Sequence, residues 1–212
     1  MSCGRRAGGH KNNKVGEGSG RVGGCREAPR GAGPTGEGGD GKGGGYSLPP
    51  DAVDLQRFAG PAQLAGLKAA GQLSRPGDHG WRQWRYRDAQ VALRVTVYGL
   101  PGGWQDLSPQ RIVSGHYGQL RQARVDRVYH SADQSIRFQE ERRFDLQGQQ
   151  SVSARFIINE ADRDPLYETL LLTLRNGLFI RVETASRHRD SRALHNLAKR
   201  ALAEFEKANR GK

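Results

Sequence analysis

This chain has few of the features that anchor a function to a sequence. Its only cysteines, Cys3 and Cys25, both lie in the first 46 residues. The rest of the chain therefore has no disulfide staple and no cysteine nucleophile, and two thiols fall short of the four ligands of a structural zinc site. No run of 18 apolar residues occurs, so no membrane-spanning helix is expected. No apolar stretch follows Met1, so the chain as written carries no signal peptide and is expected in the cytoplasm. A misassigned start site would instead place it in the periplasm.

Large apolar side chains are also scarce in residues 1–46, which hold seventeen of the thirty glycines. A segment of this kind buries too little surface to offset its ordering entropy, and it reads as a disordered Gly/Arg-rich tail. Residues 47–212 then read as a single domain, long enough for a proper core. Net charge is +12. The tail holds eight basic and four acidic residues and residues 51–212 hold 26 and 18, so the excess is spread over both parts. Such a balance favours solubility and attraction to nucleic acid or anionic membrane surfaces and says nothing about fold.

Pro165 to Ser186 is the most informative stretch. Asn176-Gly177 is a strong hairpin signal, because a type I′ turn needs positive φ at both central residues. That turn sets Leu174 opposite Phe179, Thr173 opposite Ile180 and Leu171 opposite Val182. Leu171, Leu178, Ile180 and Val182 then share one face, and Leu170, Leu172, Leu174 and Phe179 the other. Both faces are apolar, which predicts a hairpin central to a sheet covered on both sides. Residues 84–98 alternate as a strand, and 135–146 and 152–158 as two more. Residues 52–73 read as weakly helical, broken at Gly60-Pro61. Ser108-Pro109 predicts a helix start, and Asp190 caps a helix with apolar residues at Leu194, Leu197, Ala198, Ala201, Leu202 and Phe205. The order is strand, helix, four-strand meander, helix. The expected class is α+β, a single antiparallel sheet with helices on both faces.

Motifs that carry chemistry lack their context. Gly18 to Gly23 matches G-x-G-x-x-G and Gly36 to Lys42 approaches a P-loop, but no strand or helix flanks either one. His188-Arg189-Asp190 resembles a kinase catalytic loop without its supporting motifs, and Asp190 reads better as a helix cap. His116 and His130 read as helix-surface and loop residues. No cofactor or metal is expected. Trp81 to Arg87 interleaves aromatics with arginines, a pattern that stacks bases and follows phosphates. Arg82, Trp84, Arg85, Tyr86 and Arg87 are therefore the candidate polyanion-binding residues, joined by Arg121 and Arg124 on the first helix. The competing reading makes Trp84 and Tyr86 core residues of a strand.

The cue LLLTLRNGLFIRVETAS leading into an amphipathic terminal helix resembles the PsbP-like α-β-α sandwich. With LQRFAGPAQLAGLK and VTVYGL it also resembles an uncharacterised group of bacterial exported proteins. The resemblance covers roughly residues 50–208. It implies a non-enzymatic accessory domain of the cell envelope or of a larger complex, with a protein partner. The alternatives are a basic protein binding RNA or DNA non-specifically, and an enzyme whose site is assembled from distant loops.

Overall fold

The computed structural model describes residues 55–76, 80–146 and 148–211. The expected tail, with both its glycine motifs, lies outside the described residues. After a short 3-10 turn at Leu55–Arg57 come four strands: β1 (Gln63–Leu64), β2 (Leu67–Arg75), β3 (Trp81–Arg87) and β4 (Ala92–Gly99). Helix α1 (Pro109–Tyr129) follows, then β5 (Gln134–Leu146), β6 (Gln149–Glu160), β7 (Arg163–Arg175), β8 (Leu178–Ser186) and helix α2 (Ser191–Ala208). All eight strands join one antiparallel sheet in the order β1-β2-β3-β4-β8-β7-β6-β5. Each half is a meander. After β4, α1 carries the chain to the far edge, and β5 to β8 return until β8 closes against β4.

The hairpin forms with the anticipated register. Asn176 and Gly177 both have positive φ, at 50° and 73°. Leu171 pairs with Val182, Thr173 with Ile180 and Leu174 with Phe179. Its two faces feed two separate apolar clusters. Leu171, Leu178, Ile180 and Val182 pack with Trp84, Tyr86, Val95 and the apolar stripe of α2. Leu170, Leu172, Leu174 and Phe179 pack with Val152, Phe156 and with Ile112, Val113 and Tyr117 of α1. Both helix starts are capped by side chains. Ser108 Oγ accepts from the amide of Arg111, and Asp190 Oδ1 from those of Arg192 and Ala193.

Three expectations need correction. The fold is dominated by its sheet and is not a sandwich with helices over both faces. Eight strands about 4.8 Å apart span roughly 34 Å, and a helix about 10 Å across covers about two or three of them. Helix α1 packs on β5, β6 and β7 and leaves the β3–β4 part of the same face open. Second, the described part of the helix expected over residues 52–73, residues 55–73, is a 3-10 turn and two strands. Gly60-Pro61 leaves too little chain to nucleate a helix. Ala65 and Gly66 turn with φ of 51° and 85° instead, so the spacing of Leu64 and Leu67 is that of two residues paired across a hairpin. Third, residues 84–98 belong to two strands. Asp88 Oδ1 accepts from the amides of Gln90 and Val91, both at 2.7 Å, and reverses the chain without glycine or proline.

Candidate functional site: a cationic sheet face

The register places side chains from five strands in rows across the face that α1 partly covers. One row runs Ala154, Leu170, Glu183, Arg94, Arg85. The next runs Val152, Leu172, Arg181, Thr96, Gln83, and a third Leu174, Phe179, Tyr98, Trp81. Each row is apolar on β6 and β7, beneath α1, and turns polar or aromatic toward β3. The same face therefore supplies part of a core at one end and an open, arginine-rich surface at the other. Arg87, in the row that begins with Phe156 and Glu168, extends this surface to the sheet end.

The charges are unequal. Arg85, Arg87, Arg94 and Arg181 come from the sheet and Arg124 and Arg127 from α1, whereas Glu168 and Glu183 are the carboxylates lining the same grooves. Arg124 is only 7 % exposed. Its Nη2 donates to Glu183 at 2.8 Å, and its Nε lies 2.8 Å from Glu168, close enough to pair though not aligned as a hydrogen bond. Its guanidinium also sits 4.7 Å from the centre of the Phe156 ring. Burial alone would raise the pKa of Glu183, but Arg181, Arg124 and Arg94 outweigh that and hold it below the usual carboxylate range. Both carboxylates are thus engaged by buried or half-buried arginines. Arg85 and Arg87 remain exposed with no carboxylate partner among the described residues; Arg85 donates to Gln83 Oε1 at 3.2 Å.

A cavity of about 330 Å³ opens at the α1 end, lined among others by Trp81, Gln83, Thr96, Tyr98, His116 and Arg181. His116 stacks on Phe179 at 4.4 Å and is held at both nitrogens. Its Nδ1 is 3.1 Å from Gln119 Oε1, an acceptor, so Nδ1 carries the proton. Nε2 then accepts from the Tyr98 hydroxyl at 2.7 Å. Burial lowers the His116 pKa, with Arg181 acting in the same direction and the Gln119 bond opposing. Burial also pushes the Tyr98 hydroxyl well above its ordinary value. The imidazole is neutral at pH 7 and both its nitrogens are occupied, so it has no free lone pair to serve as a base. His130 caps α1 and His188 follows β8, so the two do not join His116. No group of three metal-ligating side chains exists among the described residues.

The seven arginines and aromatics singled out from the sequence part company here. Trp84 and Tyr86 are 4 % and 1 % exposed, in the α2-side core, with Trp84 against Phe205 at 5.1 Å. Arg82 shares their parity, and its Nη1 donates to the carbonyls of Leu55, Gln56 and Phe58. Arg85 and Arg87 point to the opposite face. Arg121 lies over the Phe138 ring at 4.0 Å and 3.4 Å from Glu141, and Arg124 is buried beneath the cationic face. The structure thus brings Arg85, Arg87 and Arg124 together and excludes the two aromatics. The aromatics on the cationic face are Trp81 and Tyr98, a cross-strand pair. Arg94, Arg181, Trp81 and Tyr98 were not selected from the sequence. Strand parity could have found Trp81, since it shares the phase of Arg85 and Arg87.

No known protein family and no curated protein sequence matches the chain. Among solved structures it is weakly similar to cyanobacterial PsbP from Synechocystis, with a TM-score of 0.43 and 14% identity over 68% of this chain and 94% of that one. It is also similar to PA94, a protein of unknown function from Pseudomonas aeruginosa, with a TM-score of 0.38 and 7% identity over 63% of this chain and 94% of that one. The PsbP-like resemblance is therefore present and weak. Likeness of this extent concerns strand and helix arrangement and says nothing of ligand or activity.

Proposed function

We propose that this chain is a non-enzymatic binding module that docks an acidic surface of a protein partner on its open sheet face. The observation that carries the reading is the arginine excess on one face: Arg85 and Arg87 exposed without a carboxylate partner among the described residues, with Arg94 and Arg181 beside them sharing Glu183. Arginine forks on a rigid sheet suit paired carboxylates, because each offers two parallel donors in a fixed plane. The occupied nitrogens of His116 favour binding over acid–base catalysis. Such a module serves as an accessory part of a larger complex.

The test is fluorescence anisotropy of a labelled Glu-rich peptide with the full chain and with the triple variant Arg85→Gln, Arg87→Gln, Arg94→Gln. The parent binds, binding weakens as salt rises, and the variant binds at least about tenfold more weakly at low salt. Equal binding by the variant would show that the face is not the site. A second reading, RNA or DNA bound without sequence preference, is favoured by the Trp81–Tyr98 pair beside Arg181. A labelled single-stranded RNA separates the two. If Trp81→Ala weakens RNA binding and leaves the peptide unaffected, and the RNA is bound more tightly, the nucleic-acid reading replaces the first.

A further inference from the structure

The far end of the sheet holds a second cationic site on a different wall of the molecule. A cleft of about 950 Å³ lies between the β5–β6 strands and α2. Its α2 wall is formed by Arg192, His195, Asn196 and Lys199, the i, i+3, i+4 and i+7 positions of one helical face. Arg142 and Arg155 line the sheet wall, on the parity of Glu140 and Phe144. Glu140 is the carboxylate there, and Arg142 and Arg155 already engage it. Arg192 and Lys199 have no carboxylate partner among the described residues.

His195 stands among these groups. Its Nδ1 is buried without a hydrogen-bond partner. Burial lowers its pKa, Lys199, Arg155 and Arg142 lower it further, and Glu140 opposes them, so the ring is neutral at pH 7. Four cations around one carboxylate repel one another, and an unmatched buried nitrogen has a desolvation cost with no return. An anion in the cleft relieves the repulsion.

We propose that this cleft binds a ligand with clustered phosphoryl groups, held by Arg142, Arg192 and Lys199 with His195 beside them. A phosphoryl group offers oxygens in tetrahedral directions and can be reached from both walls at once, whereas a carboxylate presents two oxygens in one plane. The cleft is large enough for several such groups. Its one phenyl ring, Phe144, lies against Lys199 at 5.5 Å and is not free to serve as a platform for a nucleobase. The site is independent of the open sheet face.

Isothermal titration of the full chain with inorganic tripolyphosphate tests this, with phosphatidylcholine vesicles carrying a polyphosphorylated inositol lipid as a second arm. Tripolyphosphate should bind, and Arg192→Gln with Lys199→Gln, both exposed on α2, should weaken it about tenfold or more. Arg85→Gln with Arg94→Gln should leave it unchanged. In proton NMR the His195 pKa should rise on saturation, a shift that diffuse surface charge elsewhere would not give. If the vesicles bind with the same variant sensitivity and the soluble probe does not, the phosphoryl source is a headgroup. Absence of binding to both probes at millimolar phosphoryl concentration would overturn the proposal. So would equal losses in the two double variants, or a His195 pKa that does not move.

Discussion

Replacing Arg124 with Met tests how the two halves of the α1-side face are joined. Arg124 is 7 % exposed and links α1 to Glu168 on β7 and Glu183 on β8, each at 2.8 Å. Glu168 is 6 % exposed, and its other cation, Arg127, lies 3.6 Å away with a mostly exposed side chain. Glu183 fares better, because Arg181 at 3.4 Å and Arg94 at 3.8 Å remain. Breaking a buried pair by removing one partner costs about 3–5 kcal/mol. With one carboxylate poorly compensated and the other still paired, the loss belongs near the lower end, about 3 kcal/mol. In a domain of this size that is roughly 6–12 °C in Tm. Urea unfolding followed by circular dichroism is the assay. The companion variant Arg124→Met with Glu168→Leu leaves no unpaired charge at that point and should recover most of the loss. Acid stability gives a second check. The folded-state pKa of Glu183 is depressed, so its contribution is present above the unfolded carboxylate pKa and is lost as pH falls through the folded value. Removing one of its three cations reduces that depression, and the acid midpoint should move to higher pH. A loss below about 1 kcal/mol for the single variant, or a double variant no more stable than the single, would refute the buried-charge argument.

Two further changes probe the packing and the histidine. A Cβ at Gly60 would sit 2.2 Å from Trp84 Cδ1 and 2.6 Å from Tyr86 Oη, so Gly60→Ala should cost about 1–3 kcal/mol by overpacking, read as a lower urea midpoint. The His116 pKa is lowered in the folded state, so the unfolded chain binds more protons below about pH 6.5 and stability should fall with pH there. His116→Phe keeps the stack on Phe179 and should flatten that part of the slope between roughly pH 5 and 7. An unchanged slope would contradict the burial of a neutral imidazole.

The amino-acid sequence by itself determined what depends on neighbours along the chain. Asn176-Gly177 selects its turn by backbone sterics, Ser108 and Asp190 cap helices through amides two or three residues on, and the apolar stripe of α2 follows the helical repeat. The Asn176-Gly177 turn fixes the register of the central hairpin from within the hairpin itself. The tertiary structure alone decided which segments meet. That β8 pairs with β4 places Arg94 beside Glu183, residues far apart in sequence, and β3 then brings Arg85 into the same row. Strand alternation reports that Trp84 and Arg85 face opposite ways, but not which face is buried, because burial depends on where α1 and α2 come to rest. Asp88 concealed a chain reversal inside an unbroken alternation, since a side-chain acceptor can turn the backbone as glycine does. The cationic face and the α2 cleft were illegible for the same physical reason: each is assembled from arginines on separate strands and helices, and the distance between them is fixed only when the sheet closes.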